Sequence, residues 1–282
     1  IPDGLGVGGL DVGSLASSWA NASAPTQTTD AGGNVVIDIR QTADKAIANW
    51  NTFNVGKNTI VQFDQASADW AILNRITDPA AKPSEIRGQI RAPGTVLIVN
   101  KNGIVFTGTS QINVRNLVAA AAGIDTDQFK ANGIYGPNQN VASFTNAQGA
   151  LIVEQGAQIN TAAPASVTQG GGYVLLMGKQ ASNAGQISTP QGQTELAAGD
   201  AFYIRKGVGT ADNAFSTTRG NEIAPAFIAN SDAGRVVNSG LITATEGDIT
   251  LAGREVRQDG VAVSTTSVNT RGTIHLLSLI HI

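Results

Sequence analysis

At 282 residues with a formal net charge of −3, the chain gives no electrostatic reason to expect nucleic acid or an anionic membrane as partner. It has no cysteine, which excludes a disulfide framework, a thiolate metal site and a cysteine nucleophile. Only 14% of residues are charged, against 33 glycines, so long amphipathic helices lack their charged faces and many short strands joined by Gly, Asn, Thr and Gln turns are expected instead.

Residues 1–33, rich in Gly, Ala and Ser, read as an arm or cap, with Val12, Leu15 and Trp19 as its apolar contacts. Gly4, Gly6 and Gly9 spell a dinucleotide-binding fingerprint, but only three residues precede them, and the fingerprint needs a strand there. From Val35 the pattern alternates as half-buried strands do. Val35 to Thr42, Ala46 to Trp50, Thr59 to Asp64, Ala71 to Ile76, Ile86 to Ile90 and Val96 to Val99 form a series with turn residues between. Asn100, Lys101, Asn102 and Gly103 then make a turn, Ile104 to Phe106 a short strand, Gly108 a second turn, and Gln111 to Val114 another alternating run. Asn116 to Ala122 fits either a helical turn ended by Gly123 or a buried strand. Asp125-Thr126-Asp127 reads as a surface turn in preference to a cation site. No apolar run reaches the ~18 residues of a membrane-crossing helix. No basic stretch followed by an apolar one opens the chain, so an exported protein is expected to have lost its signal peptide already.

The second half repeats itself. Asn183, Gly185, Ile187, Gly192, Leu196 and Ala197 recur as Asn238, Gly240, Ile242, Gly247, Leu251 and Ala252, a shift of 238 − 183 = 55 residues. A looser copy joins Gly103, Gly108, Ile112 and Asn113 to Gly149, Gly156, Ile159 and Asn160, and Asn269 to Leu276 reads as a further rung beginning. A glycine at one fixed corner and an Ile or Leu at one inward position mean stacked coils, because one such coil cannot bury its apolar face alone. Coils of about 20 to 25 residues, stacked at about 4.8 Å, make a rod on the order of 50 Å long. Asparagines at the corners can stack as a hydrogen-bonding ladder. The long shift requires an insertion, which the polar stretch Thr210 to Ala224 is expected to supply as an extra-helical loop or hairpin. The last rung is barely begun, so the chain is expected to be a fragment of a larger protein.

The stretch 37–56, Ile-Asp-Ile-Arg-Gln-Thr-Ala-Asp-Lys-Ala-Ile-Ala-Asn-Trp-Asn-Thr-Phe-Asn-Val-Gly, closely resembles the start of the filamentous-haemagglutinin-type secretion domain. Val-Gln-Phe-Asp-Gln (61–65), Ile-Leu-Asn-Arg (72–75), Ser-Glu-Ile-Arg-Gly-Gln-Ile (84–90), the run 94–106 and Gln-Ile-Asn-Val with Leu-Val-Ala (111–119) follow in that family's order. The family is the amino-terminal domain of large exoproteins exported by two-partner secretion in Gram-negative bacteria. The resemblance implies an all-β fold, a right-handed parallel β-helix with an N-terminal cap and short extra-helical loops or hairpins. It divides the chain into a cap over 1–33 and a β-helix over 34–282, with 34–122 the most family-like part and 123–282 further coils. It also implies a partner, a TpsB-type outer-membrane β-barrel transporter whose periplasmic POTRA domains recognise the domain, which then nucleates folding of the passenger behind it. Secretion to the cell surface after periplasmic transit, and action as a monomer, belong to the same implication.

The family's Asn-Pro-Asn-Gly-Ile motif falls on Asn100, Lys101, Asn102, Gly103 and Ile104, which are the expected recognition or folding motif. Lys101 stands where the family has proline, so a preset φ is lost and a charge gained. Trp50, Phe53 and Asn74 are expected to pack the core or cap. No Asn-Pro-Asn-Leu motif occurs, which places the chain nearer the high-molecular-weight adhesin branch. Arg40, Arg75, Arg87, Arg91 and Arg115 are read as scattered solvated charges, with a basic stripe for the partner as the alternative.

Parallel β-helices include polysaccharide-degrading enzymes, but Asp38, Asp44, Asp64 and Asp69 are spread without a paired Asp-Asp, and the only histidines, His275 and His281, lie at the far end. No zinc spacing, phosphate loop or calcium repeat is visible. The expectation is therefore a secretion domain of a surface adhesin, non-enzymatic and without cofactor, whose missing passenger binds a host or biofilm glycan or receptor. Alternatives are the same domain of a contact-dependent growth-inhibition toxin or of a haem-acquisition exoprotein, and more remotely a polysaccharide-active enzyme.

Overall fold

The computed structural model describes residues 1–164, 170–206, 220–265 and 272–278. Thr210 to Arg219 and Asn269 to Arg271, where part of the insertion and the start of a rung are expected, lie outside the described residues.

Alternation along the strands builds the interior. Ile37, Val61, Ile90, Ile112, Ile159, Ile187 and Ile242 sit in register on successive parallel strands, each with 0% exposure. Each coil thus places one branched apolar side chain on the next, and the column becomes the core of a parallel β-helix. One face is a sheet of six parallel strands, Ser84–Ile86, Ile104–Phe106, Ala150–Val153, Gln180–Asn183, Arg235–Asn238 and Glu255–Gln258. The other two faces share one larger sheet, because the long strands Gln89–Val99 and Gln111–Ala120 run through both. They bend between the faces where Pro93 and Gly94 oppose the single residue Arg115, a bulge that re-aims the strand.

The 55-residue repeat is the literal register. Asn183 pairs with Asn238, Ile187 with Ile242, and Leu196 with Leu251. The excess length is absorbed by an antiparallel hairpin of Ala201–Lys206 with Asn221–Ala226, outside the coils. The looser copy is also true register, Ile112 with Ile159 and Asn113 with Asn160.

Several expectations need correction. Ile86 to Ile90 is not one strand, since Arg87 and Gly88 turn a corner between Ser84–Ile86 and Gln89–Val99. Asn116 to Ala120, open between a helical turn and a buried strand, is strand. A helix not expected from sequence spans Thr126–Asn132, with Asp125 accepting from the Gln128 amide at 2.7 Å as its N-cap. Asp125 and Asp127 therefore open a helix rather than a turn. In the opening segment Leu10 is buried and Leu5, Val12 and Trp19 pack on the core, whereas Leu15 lies on a 3-10 turn with no buried residue. Gly4, Gly6 and Gly9 lead into the two-residue strand Leu10–Asp11 and not into a helix. Thr26–Thr29 runs antiparallel to Val35–Arg40, the first coil strand, and closes that edge.

The two long faces differ in what they show outward. On the first, Asp38, Gln62, Arg91, Asn113, Asn160 and Ser188 form an in-register polar row. On the second, Ile47, Leu73, Leu97, Val118 and Leu175 form an apolar row. That row is buried beneath Phe129, Ile134 and Phe144 of the segment after Ala122 and Phe202, Ile204 and Ile223 of the hairpin. Both insertions therefore roof one wall, forming a second hydrophobic core outside the coil.

Candidate functional site

The Asn100–Ile104 corner follows from one buried amide. Asn100 is 1% exposed. Its Nδ2 donates to the Lys82 carbonyl and to Ser84 Oγ, each at 3.1 Å, and its Oδ1 accepts from the Asn102 amide at 3.1 Å. The Gly103 amide closes a turn on the Asn100 carbonyl at 3.0 Å. Gly103 has φ of 128°, and a Cβ there would stand 3.0 Å from the Ala150 carbonyl oxygen, so both conformation and space favour glycine. Ile104 points into the core between the neighbouring coils, paired with Ser84 and Leu151. The next coil is tied on by the Gly149 amide, which donates to the Lys101 carbonyl at 2.8 Å. The Asx turn supplied by Asn100 does what a proline at Lys101 would do, which explains how the corner stands without one.

Trp50, Phe53 and Asn74 are all buried. Trp50 Nε1 donates to Asn74 Oδ1 at 3.1 Å, and Asn74 Nδ2 donates to the Leu97 carbonyl at 3.0 Å. Trp50 packs edge-on against Phe53 and Trp19, with ring centroids 5.2 and 4.9 Å away. These three residues hold the first coils and the opening segment together and present nothing to solvent.

Of the five motif residues, Asn100, Gly103 and Ile104 are committed to the coil, and Lys101 and Asn102 are not. Those two side chains line a groove of about 310 Å³ with Arg75, Thr77, Asp78 and the apolar floor Ile76, Val99 and Ile124. Arg75 stands in register with Val99 at the margin of the roofed wall. The five arginines form no single stripe. Arg91 lies on the polar face and Arg75 on the roofed wall, while Arg87 pairs with Glu85 at 2.7 Å. Arg75 was visible in the sequence only as one arginine among five; its proximity to Lys101 depends on the coil length, which the sequence leaves open in this region.

A second asparagine set stands at the opposite edge of the six-stranded face. Asn183 Nδ2 donates to Asn238 Oδ1 at 2.8 Å, and Asn238 Nδ2 to Gln258 Oε1 at 3.0 Å. Beneath them Gly185, Gly240 and Gly260 stack so closely that a methyl on either of the last two would overlap the preceding glycine's carbonyl oxygen. The carboxylates considered for catalysis are not opposed, since Asp38 faces Gln62 and Asp64 faces Arg40 across the strands. Among the described residues no three His, Cys, Asp or Glu side chains gather as a metal site.

Comparison with known proteins gives a consistent set. The model of the TPS secretion domain matches residues 14–279. A heme/hemopexin-binding protein of Haemophilus influenzae is 29% identical over 216 residues, 76% of this chain and 21% of its own length. A second Haemophilus influenzae heme/hemopexin-binding protein is 31% identical over 96 residues, 34% of this chain and 10% of its own. The chain thus spans about a fifth or less of these relatives. The crystal structure of the HMW1 secretion domain from Haemophilus influenzae shares the fold with a TM-score of 0.67 at 24% identity, covering 90% of this chain and 60% of that one.

Proposed function

We propose, from the premise that this chain belongs to the TPS secretion domain family, that it is recognised by the periplasmic POTRA domains of a TpsB-type outer-membrane transporter and nucleates β-helix folding during export. The family match over 14–279 carries the reading. The fold supports it with an antiparallel strand that covers the first coil's edge, so parallel coils add only away from it. The relatives are secretion domains and binding proteins, not enzymes, and the work assigned here is recognition and templating. Proteins of this family are secreted or surface-bound, and the chain reaches that place as a monomer after periplasmic transit.

The whole protein is read as a surface adhesin. A haem-acquisition exoprotein is the second reading, favoured by the two heme/hemopexin-binding relatives. In either case the binding work falls to the passenger.

Export of this domain with and without its transporter tests the proposal, with circular dichroism on Asn100→Ala and Asn102→Ala. Partner-dependent export of the wild type is expected. Asn100→Ala should lose export and thermal stability together, because its amide is buried, whereas Asn102→Ala should keep the β-signal. Wild-type protein retained in the periplasm with its transporter present would overturn the reading. Soret absorbance of the full-length exoprotein mixed with haem separates the two readings of the passenger.

A further inference from the structure

We infer that the groove beside the Asn100–Ile104 corner is where the transporter's periplasmic domain seats an acidic segment, its carboxylates held by Arg75 and Lys101. This rests on the recognition proposed above and names the surface that performs it.

The inference starts from which polar groups are already satisfied. Among the described residues six cations, Lys45, Arg87, Lys130, Lys179, Arg235 and Arg257, each have a carboxylate partner. Arg75 and Lys101 have no ion pair or side-chain hydrogen bond among the described residues, although they line the same groove. The groove's own acid, Asp78, makes no ion pair with either, and with two cations against one carboxylate the groove keeps a net positive charge. Asp78 accepts from the Ala80 amide at 2.7 Å and the Lys82 amide at 3.3 Å, which turns it onto its own loop. Thr77 Oγ1 donates to the Trp50 carbonyl at 3.2 Å, and Asn100 is fully engaged inside the corner. The Arg75 guanidinium, the Lys101 ammonium and the Asn102 carboxamide are left without a side-chain partner among the described residues.

The surroundings select the ligand. Ile76 and Val99, 6% and 2% exposed, form an apolar floor, and a charge pair above such a floor is less screened than one in open water. Guanidinium matches a carboxylate with two parallel N–H donors, and the lysine adds a mobile point charge. A volume of about 310 Å³ lies at the low end of the roughly 300–1,000 Å³ typical of ligand pockets, enough for one or two side chains of an extended strand or loop. A polyanion is a poorer fit, because the chain as a whole carries −3 and repels it beyond the groove. Lys101 stands where the family motif has proline, so this chain has exchanged a rigid turn residue for a charge at the groove's rim.

The test is titration of the intact domain with the soluble periplasmic domain of its transporter, at low and at physiological salt. Arg75→Glu/Lys101→Glu should bind about tenfold more weakly or worse at low salt, with each single change costing a few-fold. The wild type should lose affinity as salt rises, and the double variant should lose less. Lys57→Glu, exposed and outside the groove, should bind as the wild type does. Should the double reversal lower the melting temperature, Arg75→Gln/Lys101→Gln replaces it, with the same direction and a smaller loss. Unchanged binding by a folded double variant, or equal loss in Lys57→Glu, overturns the groove and leaves the recognition reading standing. No binding by the wild type overturns the recognition reading and the groove's partner with it.

Discussion

Asparagine does two different jobs at the two edges of the six-stranded face. At the leading edge Asn100 stands alone and bonds only to its own turn and to the Lys82–Ser84 segment. At the trailing edge Asn183, Asn238 and Gln258 bond to one another through three successive coils. A solitary amide fixes the shape of one corner. A stacked series fixes the register between coils, because a slip would leave Asn183 and Asn238 unpaired in the interior. The leading corner is thus free to carry chain-specific groups such as Lys101, while the trailing one is not.

The difference can be broken in order of size. Gly240→Ala should cost most, about 3 kcal/mol in urea unfolding, because its methyl meets the Gly185 carbonyl with coils packed on both sides. Gly149→Ala meets the Asn102 carbonyl in a surface turn that can shift, and should cost about half as much; equal losses would put the two edges on a par.

Asn238→Ala comes next, about 2 to 3 kcal/mol, since it orphans the amide of Asn183, which is 0% exposed. Asn100→Ala should cost about 1 to 2 kcal/mol, because water can reach the exposed Lys82 side of the corner. A cycle sharpens this. Asn183→Ala with Asn238→Ala should cost clearly less than the sum of the singles, while Asn100→Ala with Asn238→Ala should add.

The smallest effect belongs to a surface pair. Lys179 hydrogen-bonds Asp232 and holds its carboxyl below the ordinary 3.8, with Asp232 exposed and Lys179 half-buried at the surface. The sign is that of a depressed acid: any contribution is present at neutral pH and fades as pH falls below that ordinary value. Asp232→Asn should leave the melting temperature at pH 7 unresolved from wild type.

Much of the fold could be read from the residues because stacking makes register visible as repetition. Asn183 and Asn238 are 55 residues apart and also directly bonded. Where the coil lengths vary the signal weakens, and Ile86 to Ile90 looked continuous because apolar residues flank both sides of the Arg87–Gly88 corner. The roofed wall leaves its trace in the sequence: Ile72-Leu73, Val96 to Val99 and Leu117 to Ala120 are apolar at consecutive positions, the pattern of a strand buried on both faces. The helix that helps roof it was missed because it is only 7 residues long, although Asp125 and Gln128 mark its start. Of the site, the corner was legible through Asn100 and Gly103. The groove was not, since Arg75 and Lys101 meet only through the three-dimensional stacking of coils.

The reversed strand Thr26–Thr29 bears on self-association as well as on folding. A solenoid with two open, complementary ends can stack head to tail on copies of itself, and such heterologous contacts propagate into filaments. Here one end is blunted by a short, fully exposed, polar strand running the wrong way for continued parallel pairing. Head-to-tail growth is therefore blocked at that end, which keeps a chain built from stackable units from adding a copy of itself there.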